Sequence, residues 1–250
     1  TINAIAQDSN GHLIDPHQGQ ADIAAGLLRH VSDAFTEDPL RVFRVARFAA
    51  QLSGFKVADE TQVLLMRMCS DRDLETLSAE RVWQEFAKAL AAPNPGRFFE
   101  VLEACGGLTY WLPECAGLSL GSIPMHQSDP AARFALLPIS AKGLAAILAR
   151  LRGPNRYAQL AADRHAHLSM LEQWPMVEPE EFHRMLDQLR VIHAEERLQQ
   201  LVDLIPATAI RQRLLAELPA LVAQLRQISL SAEEAKALHG AAYGARLTER

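Results

Sequence analysis

The sequence predicts a mainly α-helical protein with a short β-bearing segment at its N-terminal end. Three observations predict it. From Thr36 onward apolar residues recur at helical spacing, the breaks between these runs fall at Pro and Gly, and only residues 1–31 hold short apolar runs closed by turn signals. In that first stretch the turns are Asp8-Ser9-Asn10-Gly11, Asp15-Pro16 and Gly19, and His12-Leu13-Ile14-Asp15 between them reads as an edge strand or hairpin arm. No other part of the chain has β character on this reading.

The helices follow in order. Thr36 serves as N-cap of the first, Glu37 and Asp38 favour its first turn, and Pro39 is tolerated there; this helix runs to about Leu52 and stops at Ser53-Gly54. Three more are expected near Asp59 to Cys69, Ser78 to Ala92 and Pro95 to Cys105, with Asn94-Pro95-Gly96 and Gly106-Gly107 marking ends. Residues 112–130, holding several Pro, Gly and Ser, read as a linker. Helices are then expected over about 131–151, 154–170, 179–203, 207–227 and 231–246, broken at Gly153-Pro154, Trp174-Pro175 and Pro206. Short connections between amphipathic helices make an all-α body.

Composition narrows the function classes. The 250 residues carry 49% hydrophobic and 22% charged side chains, which is ordinary for a globular protein. No apolar run approaches the roughly 18 residues of a membrane span, so no membrane partner and a cytoplasmic location are expected. Cys69, Cys105 and Cys115 are widely spaced with no ligand pattern, and read as reduced, mostly buried thiols. Net charge is −5 with pI near 6.0, so any contact with nucleic acid must be local. The local candidate lies between Arg133 and Arg164, where Arg133, Lys142, Arg150, Arg152, Arg156 and Arg164 face the single anion Asp163. Arg150, Arg152 and Arg156, with Tyr157, are the expected phosphate or ribose contacts. Trp83, Trp111 and Trp174 are expected to fill helix–helix cores. The chain opens at Thr1 rather than Met, with Ile2-Asn3-Ala4-Ile5-Ala6 in mid-pattern, and reads as continuing from upstream residues.

The most informative chemistry sits at the start of the first long helix. In Glu37-Asp38-x-x-Arg41, Asp38 and Arg41 are three apart and so share a helix face. A carboxylate accepts from the exocyclic amine of cytosine or adenine, and a guanidinium donates to their ring nitrogens; uracil offers a carbonyl where Asp38 needs a donor. Glu37 would orient Arg41. Arg44 suits a nucleotide phosphate, and Arg47 less so, while Leu40, Phe43, Val45 and Phe48 supply the packing side.

In company these residues carry a resemblance. Thr1-Ile2-Asn3-Ala4-Ile5-Ala6 resembles the end of an R-R-D-x-T-I-N-A-x-A motif. Asp15-Pro16, Gly19, Ala21-Asp22 and Leu28-Arg29-His30-Val31 resemble a D-P-x-G-G-x-x-D-L…L-R-H-V motif. The run from Glu37 to Ala50 matches a template helix, and Ser78-Ala79-Glu80-Arg81-Val82-Trp83-Gln84-Glu85-Phe86 an S-x-E-R-x-x-x-E helix. Together they resemble the bacterial class II tRNA nucleotidyltransferases, which include CCA-adding enzymes and poly(A) polymerases.

The resemblance implies a remnant of the nucleotidyltransferase head over 1–34, a helical neck with the nucleotide template over 35–112, and a body and tail over 113–250. It implies addition or repair of the 3′-terminal CCA of tRNA from CTP and ATP. Asp38 and Arg41 would read the base, Glu37 and Arg44 would complete the nucleotide site, and Asn3 would line its head side. Arg150, Arg152 and Arg156 would meet the acceptor arm. Magnesium would be held by head carboxylates that precede Thr1, so no catalytic or metal-binding residue is assigned here, and the 250 residues alone are expected not to transfer a nucleotide. Asp129 to Leu137 resembles the approach to an HD phosphohydrolase motif, but no His-Asp pair occurs in the sequence, so residues 113–250 read as a degenerate HD-like region. Gly153-Pro154-Asn155-Arg156-Tyr157 resembles an R-x-P-N-x-x-x-x-L region of the same family. The alternatives are a template-independent poly(A) polymerase of the same superfamily and a non-catalytic RNA-binding remnant.

Overall fold

The computed structural model describes residues 1–118, 120, 127–191 and 195–227. Within them the chain is mainly helical, as expected. It forms two compact units, 1–162 and 163–250. The boundaries expected after residues 34 and 112 both fall inside the first unit.

The first unit opens with two short antiparallel strands, β1 (Ala6–Gln7) and β2 (Leu13–Ile14), so the hairpin arm at His12–Asp15 is present. Helix α1 (Gly19–Ala25) follows, and Asp15 sets its start by accepting from the backbone of Gly19 (2.7 Å) and Gln20 (2.9 Å). The Gln20 amide, with the other donors, holds the Asp15 carboxyl below the usual carboxylate range. Gly19 is required by crowding: a Cβ there would lie 2.8 Å from Ile5 Cγ1 and from the Thr1 carbonyl. Strand β3 (Leu27–Leu28) then pairs in parallel with β4 (Lys56–Val57). This corrects the expectation that β character ends at residue 31. A two-residue strand is too short to show period-2 alternation, and its partner lies on the far side of a helix.

The first long helix, α2, spans Leu40–Gln51, starting later than its acidic signals imply. Asp33–Glu37 is instead a 3-10 turn, and Asp38 is extended (φ −125°, ψ 102°) because the following Pro39 disfavours helical backbone before it. Helices α3 (Asp59–Ser70), α4 (Ala79–Ala91) and α5 (Gly96–Cys105) lie where the punctuation puts them. Ser78 caps α4 by accepting from the Arg81 amide. Helix α2 packs on α4 and α5 around fully buried Phe43, Phe86 and Phe98. A short helix α6 (Leu108–Trp111) places the buried Trp111, whose indole donates to the Leu74 carbonyl at 2.7 Å. Trp83 stands edge-on to Phe86 and Tyr157.

Beyond the linker, of which 119 and 121–126 lie outside the described residues, the helix expected over 131–151 is two. α7 (Pro130–Ala135) and α8 (Ala141–Leu151) are separated at Pro138-Ile139-Ser140, where Pro stops one helix and Ser140 caps the next through the Gly143 amide. Helix α9 spans Asn155–Glu172.

In the second unit the run expected over 179–203 divides into α10 (Pro179–Gln188) and α11 (Glu195–Leu204). Arg190, at φ 53°, turns the chain after α10. Helix α12 spans Ala209–Gln227, and the helix expected over 231–246 lies outside the described residues. Buried Asp163 receives a two-pronged contact from Arg197 (2.6 and 3.0 Å), and Trp174 lies on Phe182 while its indole donates to Glu217.

Candidate nucleotide site

A cavity of about 410 Å³ opens in the first unit between the N-terminal segment, residues 28–35 and one face of α2. It brings together three of the five expected nucleotide contacts: Asn3 on one wall, Arg41 and Arg44 on the other. Val45 and Phe48, expected on the packing side, line it too, while Leu40 and Phe43 are buried. Phe35 and His30, which sequence reasoning left out of the site, complete the wall. The L-R-H-V run held the only available signal for His30.

The wall is held from behind. Thr1 donates its hydroxyl to Asp22 (2.5 Å), and Arg29 reaches the same carboxylate at 3.1 and 3.2 Å and also pairs with Glu60. Burial works to raise the Asp22 pKa, but these donors hold its carboxyl below the usual range. His30 meets the buried Thr61 hydroxyl at 2.8 Å, and desolvation lowers its pKa.

Arg41 is steered by its neighbours: Nη1 donates to the Ala34 carbonyl at 2.6 Å, and the guanidinium lies 5.6 Å from the Phe35 ring centroid. The expected orienting role of Glu37 is thus taken by Ala34 and Phe35, and Glu37 is exposed at the end of the 3-10 turn. Asp38 stands beside the cavity without lining it. Its Oδ1 accepts from the Leu40 amide (3.1 Å), and Arg81 Nη2 bridges Oδ1 (3.0 Å) and Oδ2 (2.9 Å). Arg44 is exposed at the cavity, as a phosphate ligand must be. Arg47 is not: it is buried against Glu85 (Nε–Oε2 2.5 Å), bonded to Gln51 and stacked 4.0 Å from the Phe48 centroid. The second motif helix therefore grips the first through Arg81 on Asp38 and Glu85 on Arg47.

Four arginines of the basic stretch are engaged by protein groups. Arg150 forks onto Glu114 (2.6 and 2.9 Å) and donates to the Trp111 carbonyl, which holds the Glu114 carboxyl below its usual range. Arg152 pairs with Glu80 and Arg156 with Asp129, both at 2.7 Å and both largely exposed. Arg150 and Arg152 share a groove with Tyr110 and Glu80; Arg156 is not on it. Tyr157 packs on Trp83 and Phe134, and burial raises its phenol. Arg133, one of the six cations of that stretch, is buried, where desolvation lowers its pKa, and donates to the carbonyls of Leu90, Ala92 and Gln127, each at 2.6 Å. Among the described residues no group of three or more His, Cys, Asp or Glu side chains is placed to hold a metal ion. No described helix is long and apolar enough to cross a membrane.

Residues 54–118 match the family described as the probable RNA and SrmB-binding site of polymerase A. The multifunctional CCA protein of Methylobacillus flagellatus is 58% identical over 114 residues, 46% of this chain and 28% of that protein. Its counterpart in Vibrio cholerae is 58% identical over 116 residues, 46% of this chain and 29% of that protein. The matched part thus spans less than a third of these relatives. Among solved structures, the Bacillus stearothermophilus CCA-adding enzyme in complex with CTP superposes with a TM-score of 0.78 at 23% identity, covering 100% of this chain and 66% of that one. The Thermotoga maritima CCA-adding enzyme complexed with tRNA gives 0.64 at 18%, covering 99% and 65%. At such identities the superpositions speak for the fold, while the 58% matches speak for descent. Through just under half its length the chain is thus similar to curated multifunctional CCA proteins, and its fold is that of the CCA-adding enzymes.

Proposed function

We propose that this chain is the base-selecting and tRNA-binding part of a nucleotidyltransferase that adds or repairs the 3′-terminal CCA of tRNA from CTP and ATP. The observation that carries the reading is the cavity joining Asn3, Arg41 and Arg44 beside Asp38. Arg41 donates to the ring nitrogen of cytosine or adenine and Asp38 accepts from the exocyclic amine. Arg44 neutralises phosphate, Asn3 borders the opposite wall, and Glu37 adds negative charge at the rim. Uracil and guanine would face Asp38 with a carbonyl, an acceptor against an acceptor.

Segments 1–34, 35–112 and 113–250 then act as head remnant, neck and degenerate HD-like body and tail, in the cytoplasm. The acceptor arm is met by Arg152 and Arg156, whose exposed ion pairs are each worth about 0–1 kcal/mol and exchange readily for phosphate. Arg150 contributes to the same face while staying tied to Glu114. Divalent magnesium assists nucleotide transfer in such enzymes by in-line displacement. On this reading the 250 residues select a nucleotide without transferring it.

Equilibrium binding of the four nucleoside triphosphates tests the proposal. CTP and ATP should bind more tightly than UTP and GTP, and Arg41→Ala should erase the difference. Equal binding of all four would overturn it. Incorporation by the 250-residue chain, given CTP, ATP, magnesium and tRNA lacking its 3′ end, would overturn the division between selection and transfer. A second reading, a poly(A) polymerase, is favoured by the name of the family matched at 54–118. It predicts preference for ATP alone.

A further inference from the structure

We infer that Arg81, which lies outside the cavity, is a positioning residue that sets base selectivity by fixing the Asp38 carboxylate. The inference rests on the reading of Asp38 as base acceptor. A carboxylate on two freely turning torsions discriminates poorly, because it can swing away from a mismatched carbonyl instead of facing it. Here the backbone of Asp38 is extended ahead of Pro39, Oδ1 accepts from the Leu40 amide, and Arg81 Nη2 bridges both oxygens. Oδ1 therefore meets two donors and Oδ2 one, which leaves one acceptor position on Oδ2 for an exocyclic amine.

Arg81 is itself placed with little freedom. Its amide donates to the Ser78 cap, the adjoining Glu80 is bound to Arg152, and Val82, Glu85 and Phe86 on the following turn are buried. The S-x-E-R-x-x-x-E helix thus serves as a fixed post against which the acceptor is aligned.

The test measures CTP and UTP affinity of the 250-residue chain and of Asp38→Ala, Arg81→Ala, Arg81→Lys and the Asp38→Ala/Arg81→Ala double variant. Arg81→Ala should reduce the CTP-over-UTP preference about tenfold, and Arg81→Lys should restore most of it. In the Asp38→Ala background, removing Arg81 should change the preference no further. Unchanged circular dichroism and thermal midpoint are expected, since the Arg81 side chain is half exposed.

Three results would overturn the inference while leaving the base reading intact: preference kept in Arg81→Ala but lost in Asp38→Ala; tighter CTP binding in Arg81→Ala, which would make the arginine a competitor of the base; or an equal loss with and without Asp38. A preference that survives Asp38→Ala, or none in the parent chain, would instead remove the base reading itself.

Discussion

Replacing Glu85 by Ala isolates what fixes helix α2 to α4. Arg47 and Glu85 are 9% and 7% exposed and meet at 2.5 Å, so the substitution strands a guanidinium in the α2–α4 interface. Breaking a buried pair from one side costs about 3–5 kcal/mol. Two contacts survive: Gln51 still accepts from Arg47, and the Phe48 ring lies 4.0 Å from its guanidinium carbon, a cation–π contact of about 0.5–2 kcal/mol. The expected loss is therefore near the lower bound, about 3 kcal/mol. The double variant Arg47→Met/Glu85→Leu removes both charges and refills the space with apolar volume. It should lie within about 1 kcal/mol of the parent. Urea unfolding followed by tryptophan fluorescence reads both, since Trp83 lies on α4 and Trp111 belongs to the same unit. A loss below about 1 kcal/mol for Glu85→Ala would refute the reasoning. So would a double variant as unstable as the single one, because the cost would then reside in packing and not in an abandoned charge.

Arg133→Ala leaves the carbonyls of Leu90, Ala92 and Gln127 without their donor and should cost about 2–4 kcal/mol by urea unfolding, with Arg133→Lys recovering only part. Desolvation lowers the pKa of both His30 and His167. A depressed pKa means the folded state binds fewer protons, so their contribution is full above the ordinary histidine value of about 6.5 and is lost as pH falls from there through the lowered folded-state value. Thermal midpoints should drop between pH 7.5 and 5.5, and drop less in His30→Asn; an equal drop would exclude His30 as a source. Gly19→Ala drives a Cβ within 2.8 Å of Ile5 and Thr1 and should cost about 1–3 kcal/mol, read as faster proteolysis between residues 5 and 19.

The legible parts of the sequence were those governed by local chemistry. Helices α3, α4 and α5 were placed to within a residue or two because Pro, Gly and Ser punctuate them, and the hairpin arm at β2 because turns bracket it. Cavity residues Arg41 and Arg44 came from helical spacing, and Asn3 from the family resemblance. What escaped was set by distant partners. Asp38 and Arg41 look like a pair at three-residue spacing, yet the carboxylate turns to Arg81, 43 residues on, and the guanidinium back to Ala34. In the basic stretch, composition shows charge but not its destination: Arg133 caps carbonyls 41 and 43 residues away, and Arg150 finds Glu114 across 36. β4 escaped because strand pairing is a property of two segments, and only one of them lay in the region where strands were sought.

The small parallel ladder between β3 and β4 has a mechanical consequence. By joining Leu27-Leu28 to Lys56-Val57 it acts as a clasp that closes residues 29–55 into a ring, and most of the cavity wall, from His30 to Phe48, lies within that ring. The entropy of closing the ring is lost once, at folding, and not again each time a ligand arrives. The cavity walls formed by residues 29–35 and by α2 are thereby leashed to a common base. Prising them apart requires unfastening backbone hydrogen bonds at Gly26 and Leu28, so slow amide exchange at Lys56 and Ala58 should report how firmly the clasp is shut.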